Sequence, residues 1–246
     1  MTGVIALVSI RQLLARGRTL LMGLLALVPI LLAIVYRLGA QDTDQAHWVA
    51  TVLLEGLIVT TLLPLAALVY GTAALGAEIE DGTAVYLLAK PVPRSRIVLA
   101  KLLAAWALTT ATVVPSGVIA GLIGIAGAGN AGGLVPGFGV ALVVGSLVYC
   151  ALFVLLSIAT SRALIAGLAY VFIWEGVVNG LFAGTRLLSV RHATLAIADA
   201  LAGVPTAVFD AKLGIAGGVG LALILTIGGT LLAVRRLERF EIGDTT

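Results

Sequence analysis

The sequence predicts an all-α polytopic membrane protein with six transmembrane helices, and three observations predict it. The chain is 61% hydrophobic and only 11% charged, with a mean hydropathy of +1.16, whereas a soluble domain carries about twice that charge. Its apolar residues fall in blocks of roughly twenty, the length a helix needs to cross the hydrocarbon core. Lysine and arginine are spread unevenly among the segments between those blocks, as the positive-inside rule describes. Arguments about soluble cores therefore do not apply, and the whole of residues 1–246 reads as one transmembrane domain.

Each element follows from its local chemistry. Val4 to Arg18 mixes apolar residues with Arg11, Gln12, Arg16 and Arg18, which suits an amphipathic helix lying in the membrane interface; a plain basic tail is the alternative. The first span covers 19–36, with Pro29 at its middle, a residue that membrane helices tolerate. No cleavable signal peptide is evident, because the first apolar block is long enough to stay in the membrane. A polar segment with Asp42, Asp44 and His47 leads to the second span, 49–75, which contains Glu55 and Pro64. A long polar stretch intervenes before the third span, 102–126. A glycine-rich turn joins it to the fourth, 134–160, and Ser161 and Arg162 make a short turn into the fifth, 163–183. Residues 184–212 are mixed in character. The sixth span covers 213–234, and a polar tail follows.

Charge then sets orientation. With the N-terminus inside, the cytoplasmic segments hold Arg11, Arg16, Arg18, Lys90, Arg94, Arg96, Lys101, Arg162, Arg235, Arg236 and Arg239. The outer segments hold only Arg37, Arg186, Arg191 and Lys212. That bias places both termini in the cytoplasm.

The polar stretch from Ala77 to Leu102 carries most of the functional signal. It opens with Glu78, Glu80 and Asp81, then Gly82 and Thr83, then a short apolar run with Tyr86. Lys90, Pro91, Pro93, Arg94, Arg96 and Lys101 complete it. Thr83 is a candidate N-cap, with the acids at the end of a helix where negative charge is favoured. Pro91 stops that helix, since the residue before a proline avoids the α region. Ser95 is placed to cap the next helix. Two short helices meeting at a charged corner are the expectation; a solvated basic loop is the plainer reading of the charge alone.

The order and spacing of these residues resemble the first cytoplasmic loop of the type-2 permease family of ATP-binding-cassette (ABC) exporters. The family pattern runs E-x-E-x-G-T, an apolar helix, P-V-x-R, and a lysine about seven residues on. Here it is carried by Glu78, Glu80, Gly82, Thr83, Pro91, Val92, Arg94 and Lys101. Ala100 replaces a common glycine, and Pro93 a small polar residue; both departures bear on the shape of the corner. The resemblance implies a permease subunit in the cell membrane, paired with a second permease chain, identical or paralogous. It implies two ATPase subunits docked beneath, which would bind the ATP and Mg; this chain would bind no cofactor of its own. It further implies an ATPase-coupling role for Glu78, Glu80, Asp81, Gly82, Thr83, Tyr86, Lys90, Pro91, Arg94 and Lys101.

Other chemistries find little support. A P-loop ends in Gly-Lys-Ser/Thr, but Lys90, Lys101 and Lys212 each follow an alanine. His47 and His192 have no cysteine or histidine at ligand spacing, which argues against a metal site. Nothing points to nucleic acid. The lone Cys150 sits in an apolar span and excludes an internal disulfide. Ser116 follows Pro115 inside a span, but it has no glycine-flanked nucleophile motif and no histidine within a span, so it reads as a packing residue rather than a protease nucleophile.

Two acids inside the spans remain. Glu55 lies roughly 9 Å inside the outer end of the second span, and Glu175 roughly 18 Å from the inner end of the fifth. An ionised carboxylate there is costly unless it meets water or a partner. One reading makes Glu55, Glu175, Gly176, Asn179 and Gly180 part of a translocation path or protomer interface. The other is structural: hydrogen bonds to Thr51, Asn179 or a neighbouring span, or reach toward Arg186. A rival function is an ion- or proton-coupled secondary transporter using Glu55 and Glu175. Against it stand the lack of a charged relay in the inner half and of a clear inverted repeat.

Overall fold

The computed structural model of the chain describes residues 9–10, 17–39, 44–80, 93–126 and 131–239, with the side chains of 18, 77–80 and 183 excepted. The expected interfacial helix at 4–18, apart from its last two residues and Ser9–Ile10, lies outside the described residues, as does most of the polar corner. Among the described residues there are helices and turns but no strands, and six helices are long and apolar enough to cross a membrane. The membrane forces this solution, because a spanning chain must satisfy its backbone hydrogen bonds internally.

Helix α1 (Arg18–Gly39) lies at the periphery, with leucines such as Leu20, Leu24 and Leu31 exposed to lipid. Pro29 sits inside it. One turn before that proline, Ser116 of a neighbouring helix donates a hydrogen bond to the Ala26 carbonyl at 2.6 Å, so Ser116 is a buried packing contact. Tyr36 stacks flat on Trp48, ring centroids 3.7 Å apart, and pins the end of α1 to the start of the next helix.

Helix α2 (45–80) is built in three parts. A turn of α-helix, Gln45–Trp48, is capped by Asp44, which accepts from the His47 amide. A π-helical stretch follows, Val49–Leu62, and then an α-helix, Leu63–Glu80. In the widened part the Thr60 and Thr61 hydroxyls donate to carbonyls five residues back, those of Glu55 and Gly56. Helix α3 (Arg94–Ile125) starts directly after Pro93, which serves as its N-cap. Ser95 therefore lies inside the helix instead of capping it: proline suits an entry position, where a missing amide costs nothing. The third helix thus begins well before the apolar block does.

Helix α4 (Leu134–Ala159) is the centre of the bundle and packs on α2, on α3 and on the last two helices of the chain. Helix α5 (Ala163–Leu181) is peripheral, and it too contains a π-helical stretch, Tyr170–Val178. A 3-10 turn, Ala183–Leu188, leads into α6 (Val190–Ala202), and α7 (Ile215–Glu238) crosses back. Arg94, Arg96, Arg162, Arg235, Arg236 and Arg239 gather where α3 and α5 start and α4 and α7 finish; this is the basic end of the bundle.

Helix α6 is the part that the sequence leaves undefined. Its first residues lie deep. Thr194 packs on Gly145, near the middle of α4, while Ala198 and Ala202 pack on Gly137, close to the end of α4 away from the basic end. Over its 13 residues α6 climbs roughly 20 Å. The chain after α5 therefore turns back into the bundle and re-emerges, so 184–202 forms a re-entrant hairpin and not a surface loop. Glycine makes the contact close: a Cβ on Gly137 would lie 2.6 Å from the Ala202 amide nitrogen. Gly203, at φ +57, ends α6 in the left-handed conformation that glycine adopts without strain.

Candidate functional site

The deep end of α6 is where the two intramembrane acids meet their partners. Ser189 caps the helix, its hydroxyl accepting from the His192 amide at 3.2 Å, and is fully buried. Glu175, 4% exposed, points from α5 at this N-terminus. Its Oε1 accepts from the Val190 amide at 2.8 Å and the Tyr170 hydroxyl at 3.0 Å. Its Oε2 accepts from the Ser189 hydroxyl at 2.5 Å and Asn179 Nδ2 at 3.3 Å. Four donors divided evenly between two oxygens offset the cost of burying a carboxylate. The first free amides and the positive end of the α6 dipole add to this.

Glu55 reaches the same helix from α2. Its Oε1 pairs with Arg191 Nη2 at 3.0 Å, both side chains about a quarter exposed. So Ser189, Val190 and Arg191, three consecutive residues, tie α6 to two separate membrane helices. Both acids sit in π-helical stretches, and such departures from α-helical geometry frequently mark functional positions. The 3-10 turn is held against α5 by Trp174 Nε1 donating to the Leu188 carbonyl at 3.4 Å. Tyr149 of α4 lies beside Glu175, with its hydroxyl buried.

His192 Nδ1 also contacts the Ser189 hydroxyl, at 2.9 Å. A serine, a histidine and a carboxylate are thus together, but not in a hydrolytic order. In a triad the acid orients the imidazole, whereas here Glu175 bonds the serine itself. With Ser189 fully buried as a cap, the arrangement holds a helix end in place. Among the described residues no group of acids, histidines and cysteines could hold a metal ion.

The residues singled out from sequence fall in three places. Glu175 and Asn179 face inward and share this polar centre, whereas Gly176 and Gly180 lie on the open outer face of α5. Glu55 bonds neither Thr51 nor Asn179; Thr51 donates to the His47 carbonyl instead. At the basic end, Glu78 and Glu80 occupy the last turn of α2, and Arg94 and Lys101 share one face of α3 at a spacing of seven. Lys101 is buried. Asp81, Gly82, Thr83, Tyr86, Lys90 and Pro91 lie outside the described residues. Sequence reasoning missed Ser189, Arg191 and Tyr170. A signal existed for the first: Ser189 ahead of the glycine- and proline-free stretch 190–202, closed by Gly203, has the form of a capped helix.

Comparison with known proteins agrees with this architecture. A family model described as ABC-2 family transporter protein matches residues 5–201, most of the chain. None of the curated proteins compared with it matches.

Proposed function

The chain belongs to the ABC-2 transporter family, and on that premise we propose that it is the permease subunit of an ATP-driven exporter, coupled to its ATPase at 78–101 and gated through α6. The family match over 5–201 carries this reading. As a multi-pass membrane protein of that family, the chain works with a partner ATPase; two ATPase copies and a second permease chain complete the proposed assembly. The basic end faces the cytoplasm, following the arginine bias.

The geometry supports a route for coupling. Glu80 ends α2 at the basic end, and Glu55 lies on the same helix, about 38 Å away at 1.5 Å per residue. Closure of the ATPase pair would press on the corner after Glu80 and tilt α2. Glu55 would then draw away from Arg191 at the deep end of α6, which plugs the half of the bundle away from the ATPase. The engagement of both acids by α6 favours this mechanical role over ion coupling, because Glu175 already accepts four hydrogen bonds.

The test perturbs the corner without touching the spans. Glu80→Lys reverses one charge, and Gly82→Val restricts the backbone. Surface reversals alter folding stability little, whereas charge mismatch at a docking surface costs several kcal/mol. Both variants are expected to insert and fold, yet to copurify weakly with the ATPase or to hydrolyse ATP without transport in liposomes. Normal assembly and coupling in both would reduce the corner to a solvated turn and remove the coupling role proposed for 78–101.

A further inference from the structure

A second feature lies at the opposite end of the bundle from the re-entrant hairpin. Helices α4, α5 and α7 leave between them an open groove of about 780 Å³. Helix α4 lines it with Leu152 and Leu156, α5 with Ala166 and Tyr170, and α7 with Leu232. These positions repeat at three- and four-residue steps, so each helix turns one continuous face to the groove. The mouth differs in character. Arg235, Arg236 and Arg239 line it at the basic end, and among the described residues no acid does. Arg236 donates to the Ala159 carbonyl at 3.2 Å, which fastens one guanidinium to the rim. Arg235 and Arg239 are exposed and have no carboxylate partner among the described residues.

We infer that this groove binds one anionic phospholipid from the leaflet at the basic end, its acyl chain between α4, α5 and α7 and its phosphate under the arginines. The charge and the shape agree on the occupant. An apolar slot open to the bilayer excludes a free anion, and a cluster of three cations is attracted more strongly to a net-negative headgroup than to a zwitterionic one. Basic pockets between membrane helices on the positively charged side suit anionic headgroups, and arginine presents a fork that matches phosphate geometry. The slot also reaches the polar centre. The Tyr170 ring forms part of its wall while the Tyr170 hydroxyl bonds Glu175. A lipid chain seated there therefore packs on the side chain that holds Glu175. This inference does not depend on the direction of transport or on the ATPase.

Native mass spectrometry tests it, on the full chain released from mixed micelles of equimolar phosphatidylglycerol and phosphatidylcholine with matched acyl chains. The wild type is expected to retain one phosphatidylglycerol in preference to phosphatidylcholine. Arg235→Gln with Arg239→Gln should reduce that preference about 25-fold, a factor of roughly five for each arginine near an anionic surface. Ala166→Phe fills the slot with all three arginines intact and should lower retained phosphatidylglycerol severalfold. Arg96→Gln, at the basic end but away from the groove, should change nothing. The inference fails if the wild type shows no preference. It fails equally if Arg96→Gln loses the preference as the double variant does, or if Ala166→Phe retains as much lipid. Arg235 and Arg239 are exposed, so the double variant stays informative even where Ala166→Phe folds poorly.

Discussion

Replacing Glu175 by glutamine and by leucine should produce two distinct outcomes, and the difference follows from the donor count. The carboxylate accepts from Tyr170 and Val190 on one oxygen and from Ser189 and Asn179 on the other. An amide keeps one of those oxygens. Placed toward Tyr170 and Val190, it retains both of their bonds, and its NH2 group then faces Ser189 and Asn179. Both can adapt. The Ser189 hydroxyl can accept from the new amide and turn its proton to His192, already 2.9 Å away. Asn179 can rotate its side-chain amide, because its Oδ1 is buried with no partner. What is lost is the charge: its attraction to the α6 N-terminus and the charge-assisted part of two hydrogen bonds, together about 1–2 kcal/mol. Leucine offers no acceptor. Val190 and Asn179 are then left as buried donors at about 1–3 kcal/mol each, and Tyr170 as a half-buried one, so the loss is at least about 2–3 kcal/mol. Equilibrium unfolding in mixed micelles should place glutamine between wild type and leucine. Equal stability of the two variants would show that Glu175 faces water and that its four bonds do not hold α6.

Three further outcomes follow from the same geometry. A double-mutant cycle with Glu55→Gln and Arg191→Met should give a coupling of about 1 kcal/mol, the scale of a partly exposed ion pair; zero coupling would dissolve the link between α2 and α6. Gly137→Ala should destabilise the protein by about 1–3 kcal/mol, as overpacking does, because the new Cβ meets Ala202 backbone at 2.6 and 2.8 Å. Gly139→Ala is its control, with only an ordinary contact at 3.6 Å; equal melting of the two would contradict the close α4–α6 approach. In a Cys150→Ala background, an impermeant thiol reagent applied to intact cells should label Thr206→Cys and spare Ser161→Cys, both exposed sites; the reverse pattern would invert the proposed orientation.

The six spans were legible because the membrane demands long apolar blocks, and 134–160 agrees with α4 to one residue. Ends set by polar residues were less so. Helix α3 starts at Arg94, since arginines extend a helix past the apolar block without breaking it. Helix α6 was illegible as a buried element because it is too short to span, and Arg191, His192 and Asp199 give it a surface composition. Most of it is buried, Val190, Leu195 and Ile197 together with the small Ala193, Ala196, Ala198 and Ala202, but the apolar residues are too few in a row to stand out as a membrane block. The π-helical stretches left no mark on the pattern, since 49–62 is mostly apolar and its polar residues follow no helical period. In the site, Glu55 and Glu175 stood out as acids in lipid, but pairing Glu55 with a residue 136 positions away required the fold.

The contrast between the packed length of α6 and its polar deep end shows how this helix is held in place. In a membrane, packing between helices gains nothing from the hydrophobic effect, so close van der Waals contact and polar bonds decide position. Along its length α6 meets glycines of α4 and α7 with alanine and threonine, as at Gly137, Gly145 and Gly218. Those contacts are close yet lack directional bonds between side chains, and they allow sliding once register is lost. Register comes from the deep end. There, Glu175 is enclosed and accepts four hydrogen bonds, so breaking it strands several buried donors at once. The Glu55–Arg191 pair is a quarter exposed and single, a contact of about 1 kcal/mol that solvent can replace. A force arriving along α2, as the proposed coupling requires, would meet the weaker tether first. Helix α6 would part from α2 while staying attached to α5, and the opening it leaves would lie along the α2 side of the hairpin.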